Sequence, residues 1–400
     1  MYRIGKEEIK AVERVIRSRQ LFRYGEPKQG HLQEVAKFEK ELAKKTGSKY
    51  ALAVTSGTAA LTCALTGMGI GPGDEVIVPA YTFVATAISV LSVGAIPVLA
   101  DIDDTLTLDP DDFERKITKR TRAVIPVYMV GFPADMGRIM RIAGKHRIAV
   151  LEDVCQADGG SYHGKRLGSI GRAGVFSFNF YKIISCGEGG AVVTDDIRVF
   201  HRAMIYHDGG IGFRPHGKNL ATRIFSGTNY RLNEILGAIM RIQLRRMDLM
   251  LKSMRRQKKI FMRELSGHPS LEFIRSNDIE GDCCTHIGFV FEDKAEAKIF
   301  SDELNKHKIG CYSPYYSGRH IYPNWEVVMM KRGAHHPLRD PYRLQANKTC
   351  RMDYTRQSCS RTLEILARTV LIPTHPDHSE KELYKRIKAC DKAGQVVLIK

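Results

Sequence analysis

The sequence predicts an α/β protein with a mainly parallel sheet, followed by a smaller α+β domain at the C-terminal end. Three observations predict it. Between Tyr50 and Leu151, short apolar runs alternate with stretches of helical period, the pattern of a sheet covered on both faces. A long amphipathic segment starts after Asn229 and stops near Gly267-His268-Pro269, which divides the chain into residues 1–267 and 268–400. The remainder reads as three short strands among three helices.

In chain order, residues before Gly47 form a helical lead-in. Ile9, Val12, Val15 and Ile16 recur at helical spacing over Glu7–Arg17, as do Val35, Phe38 and Leu42 over Leu32–Leu42, with the loop LFRYGEPKQG between them. Strands are expected at Tyr50–Val54, Val76–Pro79, Ile96–Ala100, Ala123–Val127 and Ile148–Leu151. Helices are expected at Thr58–Gly67, Thr82–Val93, Pro110–Ile117 and Ala134–His146, the third started by Asp109 as cap and Pro110 at its first position. Phe176–Phe180 and Ala191–Thr194 read as buried strands joined through Gly187-Glu188-Gly189-Gly190. The long helix carries Leu232, Ile235, Leu236, Ile239, Ile242 and Leu249 along one side. After it come strands His286–Phe291, Cys311–Tyr315 and Val370–Ile372, and helices Ala295–His307, Ser360–Thr369 and Ser379–Lys392.

Composition narrows the function. With 43% hydrophobic and 26% charged residues among 400, the chain is that of an ordinary globular protein. The opening MYRIGKEEIK lacks an apolar core, and the longest apolar stretch, Val84–Ala100, is interrupted by Gly94 and Pro97. Neither a secretory signal nor a membrane span is expected, and a cytoplasmic location follows. Nine cysteines without a C-x-x-C pair point to reduced thiols and away from a zinc site. A formal net charge of +18 favours anionic partners of some kind.

Four segments fall at the C-terminal ends of expected strands, where open α/β sheets bind ligands. Thr55-Ser56-Gly57-Thr58-Ala59-Ala60 turns from strand to helix with small residues, a geometry that serves either a phosphate or an ordinary cap. Val150-Leu151-Glu152-Asp153 ends in carboxylates, with Gln156 after them. Tyr81-Thr82-Phe83 offers an aromatic that could stack on a flat ring or pack in the core. Gly227-Thr228-Asn229-Tyr230-Arg231 heads the long helix with polar groups able to reach a phosphate. Lys182 stands where the strand from Phe176 gives out. There it is either a snorkelling surface residue or a desolvated amine suited to a carbonyl. Paired with Asp153 it would supply the two ends of one cofactor: an amine for its aldehyde and an acid that keeps its ring electron-withdrawing.

These stretches in this order resemble the DegT/DnrJ/EryC1/StrS family of pyridoxal-phosphate sugar aminotransferases. The likeness runs through TSGTAALTCALTGMGIGPGDEVIVPAYTFVATA, PVYMVGFPADM, VLEDVCQADGGSYHGKRLGSIGRAGVFSFNFYK, GEGGAVVTDD and GTNYRLNEILGAIMRIQL, nearly all of residues 50–245. It implies an aspartate aminotransferase-like large domain of fold type I, and pyridoxal 5′-phosphate as cofactor. It implies Lys182 on the cofactor aldehyde, Asp153 on the pyridine nitrogen, Gln156 beside the ring and its phenolic oxygen, and Phe83 on the ring face. Gly57, Thr58 and Ser177 would hold the phosphate, with Asn229 reaching it from the partner of a homodimer that shares its active sites. The amino donor would be glutamate or glutamine and the acceptor a keto-sugar, in amino-sugar or lipopolysaccharide biosynthesis.

Some positions depart from the family pattern. Phe180 and Tyr181 precede the lysine where many relatives carry small or polar residues, and Tyr206-His207-Asp208-Gly209 stands where the family commonly has Arg-x-His-Gly. The substrate side of the pocket is therefore read loosely, from Tyr181 and from His320, which is equally readable as a packed or solvent-facing histidine. GCYSPYYSGRHIYPNWE is expected to fold back over the site. With LFRYG it resembles a subgroup that aminates Kdo-type ulosonic acids, the alternative acceptor being a nucleotide-linked keto-deoxy sugar.

Other readings fare worse. Gly69-Ile70-Gly71-Pro72-Gly73 follows a helix and precedes a strand, the reverse of a dinucleotide fingerprint, and no P-loop occurs. A dehydratase of the same family would carry histidine in place of Lys182. A nucleic-acid or surface-binding protein would rest on Arg245, Arg246, Lys252, Arg255, Arg256, Lys258 and Lys259 of the long helix, a run that usually marks a solvated face.

Overall fold

The computed structural model describes residues 3–211, 214, 217 and 220–399. Helices α1 (Lys6–Ser18) and α2 (Glu34–Thr46) lead into strand β1 (Tyr50–Val54). Alternation follows through α3 (Gly57–Met68), β2 (Glu75–Pro79), α4 (Ala85–Ser92), β3 (Ile96–Ala100), α5 (Pro110–Lys116), β4 (Thr121–Val124), α6 (Met136–His146) and β5 (Ala149–Asp153). A two-residue hairpin, β6 (Ser161–Tyr162) and β7 (Lys165–Arg166), precedes β8 (Ala173–Ser177), β9 (Gly190–Thr194) and α7 (Ile197–His207).

One sheet of seven strands runs in the order β1-β9-β8-β5-β4-β2-β3. Its four pairings from β8 to β3 are parallel, and β9 lies antiparallel to both β1 and β8. Helices cover both faces. Leu61, Leu65, Val90 and Val199 pack on one side, and Phe38, Phe113, Ile139 and Met247 on the other. Strands buried on both faces read as unbroken apolar runs, which is why β2 and β3 were visible in the sequence.

Helix α8 (Glu234–Glu264) starts on Asn233, whose side chain accepts the Leu236 N–H at 3.1 Å. It is packed on two sides rather than one. Met240, Leu244, Met247, Leu251 and Met254 join the sheet's core, Ala238 meets α1, and Leu249 is 73% exposed, contrary to its expected place on the apolar side. Beyond α8, strands β10 (Glu272–Phe273), β11 (His286–Val290) and, much later, β12 (Thr369–Pro373) form an antiparallel sheet in the order β10-β11-β12. Helices α9 (Lys294–Lys306) and α12 (Glu380–Ile399) pack beside it, and α10 (Glu326–Met329) and α11 (Ser360–Ala367) lie between β11 and β12.

Two expected strands change. The ladder of Phe176–Phe180 ends at Ser177, with only an isolated bridge from Asn179 to Gly187 beyond it, and Phe180 is 58% exposed. Cys311–Tyr315 reduces to one bridge, Tyr312 to Leu371, because Pro314 opens a 3₁₀ turn and has no N–H for a ladder. No helix among the described residues is long and apolar enough to cross a membrane.

Candidate active site

The C-terminal ends of β1, β2, β5 and β8 open on one cavity of about 600 Å³. Its wall brings together Gly57, Thr58, Phe83, Asp153, Gln156, Ser177, Tyr181, Lys182 and His320, residues drawn from widely separated stretches of the chain. Asn229 is not in that wall. It bridges to Asp208, and its side-chain oxygen accepts the Arg231 N–H at 3.2 Å.

The floor is an anion cradle. Ser56 caps α3 by accepting the Ala59 N–H at 3.0 Å, and the first intrahelical bond is Ala60 N–H to Ser56 O. The amides of Gly57 and Thr58 precede that bond, so the helix itself cannot satisfy them. A Cβ on Gly57 would stand 2.8 Å from Ser177 Cβ and 3.1 Å from Cys155 Sγ, so that only glycine leaves the amides open beside the Ser177 hydroxyl. Two amides and the hydroxyls of Thr58 and Ser177 at a helix start fit a phosphate.

Asp153 ends β5 and is 3% exposed. One oxygen accepts the Cys155 N–H at 3.1 Å and the other the Thr86 hydroxyl at 2.9 Å, which leaves the carboxylate room for one more donor from the cavity. Lys182 lies on the turn after β8, its backbone held by Lys182 N–H to Asn179 O at 3.0 Å. Gln156 accepts the Val130 N–H at 3.1 Å, which fixes its side chain against the wall. Phe83 and His320 face each other with ring centroids 5.6 Å apart.

The C-terminal tail does fold over the cavity. Thr82 N–H donates to His320 O at 3.0 Å and Val84 N–H to Arg319 O at 3.2 Å, a pairing that carries Arg319 and His320 into the wall. His320 donates through Nδ1 to Ser317 O, since a carbonyl only accepts, and burial with Lys182 nearby holds its pKa below the usual histidine value. Tyr181 touches the mouth while remaining 83% exposed.

Sequence reasoning missed Thr86, Thr285, His286 and Arg319 in this wall. Thr86 could have been found from its spacing, four residues after Thr82 at a helix start. His286 opens β11 with no distinguishing pattern. Its two nitrogens meet Thr285 Oγ1 at 3.0 Å and the Tyr312 hydroxyl at 3.1 Å, and burial beside Lys258 lowers its pKa to about 4.

The basic run on α8 is mostly committed. Lys258 is buried against Asp282, Arg246 pairs with Glu7 and Glu8, Arg256 with Glu380, and Lys259 with Glu280. Arg255 donates to the carbonyls of Asp282 and Gly281. Such pairing commits most of the run's cations to partners within the protein itself.

Residues 2–338 match the DegT/DnrJ/EryC1/StrS aminotransferase family. GDP-perosamine synthase of Caulobacter vibrioides is 43% identical over 215 residues, which make up 54% of this chain and 57% of that protein. The 3-amino-5-hydroxybenzoate synthase of Amycolatopsis mediterranei is 36% identical over 261 residues, 64% of this chain and 66% of that protein. The matched stretch thus spans less than two thirds of either relative. A crystallographic aminotransferase from Psychrobacter cryohalolentis, 26% identical, superposes over 100% of this chain and 99% of its own with a TM-score of 0.81. The chain belongs to the DegT/DnrJ/EryC1/StrS aminotransferase family, whose members depend on pyridoxal phosphate, and its fold is the type I fold of such enzymes.

Proposed function

We propose that the protein is a pyridoxal-phosphate aminotransferase that moves an amino group from glutamate or glutamine to a keto-sugar. The acceptor is a nucleotide-linked keto-deoxy sugar or a Kdo-type ulosonic acid, in amino-sugar or surface-polysaccharide biosynthesis. The protein works in the cytoplasm as a homodimer in which Asn229 of each chain serves the other's site. One observation carries the reading: Lys182, an amine on the turn after β8, and Asp153, an acid at the end of β5, border the same cavity as the phosphate cradle.

When bound, pyridoxal phosphate supplies an aldehyde that carries the amino group and a ring that withdraws electrons. Gly57, Thr58 and Ser177 hold the phosphate through the cradle described above. Asp153 would keep a proton on the ring nitrogen by offering a lone pair that Thr86 and Cys155 leave open. Phe83 would cover a ring face, and Gln156 would lie beside the phenolic oxygen. Lys182 Nζ would hold the aldehyde. Once free, Lys182 Nζ would be the base placed to take a proton from the donor's α-carbon and, in the reverse half of the exchange, to give one to the acceptor's carbon. Val127, Val130 and Ile183 exclude water on the apolar side of the cavity. Lysine at position 182 favours amine transfer over dehydration by the same family.

The test is a half-reaction. Protein loaded with pyridoxal phosphate is treated with glutamate or glutamine until its visible band disappears, then offered keto-sugars one at a time. Return of the band identifies the acceptor, and a band unmoved by either donor rejects the reading. Lys182→Ala is expected to lack the lysine-bound band and to lose turnover by at least about 10³-fold.

A further inference from the structure

The cavity contains a hydroxyl relay behind its acid. Thr86 Oγ1 stands 2.9 Å from Asp153 Oδ2 and 2.8 Å from Thr82 Oγ1, and Thr82, Thr86 and Asp153 are 1%, 1% and 3% exposed. The proton directions follow from what each group can do. An ionised carboxylate only accepts, so Thr86 spends its single proton on Asp153. Its oxygen must then accept from Thr82, whose alternative acceptor, Phe83 O, is distant at 3.5 Å. The order Thr82 to Thr86 to Asp153 is thereby set, and each link strengthens the next in a dry interior.

This arrangement is more than local packing. Asp153 ends β5, whereas Thr86 lies in the first turn of α4, 67 residues earlier. Cys155 N–H holds the opposite oxygen from the turn after the strand, so the carboxylate is gripped on both sides. Thr82 is itself anchored by its backbone N–H to His320 O, which ties the relay to the tail that covers the cavity.

We propose that Thr86 is a positioning residue for Asp153: with Thr82 behind it, it fixes the rotation of the carboxylate so that one lone pair faces the ring nitrogen of the cofactor. The inference rests on the function proposed above. Thr86 does not take part in proton transfer, and its effect is exerted wholly through Asp153.

The measurement is binding of pyridoxal phosphate to cofactor-stripped protein, followed by fluorescence, together with the pH titration of the loaded protein's visible band. Thr86→Val keeps the shape and removes the hydroxyl. It should raise the cofactor Kd roughly tenfold, the scale expected for losing a hydrogen bond to a charged group, and displace the titration midpoint. Thr86→Ser restores the donor and should stay within about twofold of wild type, while Thr82→Val should fall between. Wild-type affinity and titration in Thr86→Val overturn the inference. If that variant fails to fold, Thr82→Val decides, because it leaves Thr86 in place and removes only its donor; wild-type behaviour there overturns the inference equally. Asp153→Asn separates the two levels. Full affinity in Asp153→Asn defeats the function proposed for Asp153, whereas lost affinity there with an unaltered Thr86→Val defeats only the relay.

Discussion

Glu152 and Asp153 are consecutive carboxylates that β5 turns to opposite faces of the sheet. Asp153 borders the cavity, while Glu152 is fully buried behind it and accepts the Gly168, Ile170 and Gly171 amides at 2.8, 2.6 and 2.7 Å and the Tyr128 hydroxyl. The alternation of a strand thus separates a structural acid from a cavity acid one residue away. Glu152→Ala strands four donors and should lower stability by about 3 kcal/mol or more. Asp153→Asn keeps an acceptor for Cys155 and should change stability by less than about 1 kcal/mol. Thermal unfolding of the cofactor-stripped variants distinguishes them, and equal losses would contradict the division.

Gly57 gives the second prediction. Its missing Cβ is what keeps Ser177 and Cys155 within contact of the helix start. Gly57→Ala should push the cradle open and weaken pyridoxal-phosphate binding by about tenfold or more, since charge-assisted bonds to an anion depend on short distances. Ser177→Ala, which removes a donor without crowding, should cost less. Titration of the stripped protein with the cofactor gives both values, and unaltered binding in Gly57→Ala would remove the cradle from the phosphate site.

Asp158 gives a pH-dependent one. Both its carboxyl oxygens are buried without a hydrogen-bond partner among the described residues, and burial drives its pKa well above the usual carboxylate range, opposed by Lys182 and aided by Asp153. The folded state therefore keeps a proton that the unfolded chain releases near pH 4. The group's stabilising contribution is complete below that pH and is lost as pH rises toward the folded pKa, at about 1.4 kcal/mol per unit crossed. Asp158→Asn has no such proton to lose. It should melt above wild type at pH 8, with the gap closing toward pH 4, in scans of stripped protein. A gap independent of pH would show that Asp158 is ionised in the fold.

The sheet's central strands and the presence of Lys182 and Asp153 in one cavity wall were legible because buried parallel strands are apolar throughout and because these residues fall at or just after strand ends. What was not legible depended on contacts distant in sequence. Phe180 read as the end of a buried strand, yet the turn that presents Lys182 to the cavity carries it outward. Leu249 looked like core, but α8 spends its apolar residues on two neighbours and leaves that angle to solvent. Thr285 and His286 enter the wall only because the segment leading into β11 lies against residues 130–131, through Thr285 Oγ1 to Val130 O at 2.5 Å and Cys283 N–H to Gly131 O at 3.1 Å. No local pattern announces such a junction.

The Lys258–Asp282 pair at the same junction supports the last prediction. Lys258, 7% exposed, extends from α8 to a wholly buried Asp282, and its ammonium lies 4.6 Å from the centre of the Phe132 ring. Asp282 also accepts the Cys284 N–H at 2.6 Å, which shapes the entry to β11 and hence the placement of Thr285 and His286. Removing one charge leaves the other buried and unpaired, so Lys258→Met alone should cost about 3–5 kcal/mol. In Lys258→Met with Asp282→Asn the stem still covers Phe132, the amide oxygen still accepts from Cys284, and no bare charge remains. The double variant should therefore be more stable than Lys258→Met, a reversal that denaturant unfolding can resolve because it exceeds about 1 kcal/mol. Additive losses would mean that the two charges do not compensate each other, and that solvent rather than Asp282 accommodates the Lys258 ammonium.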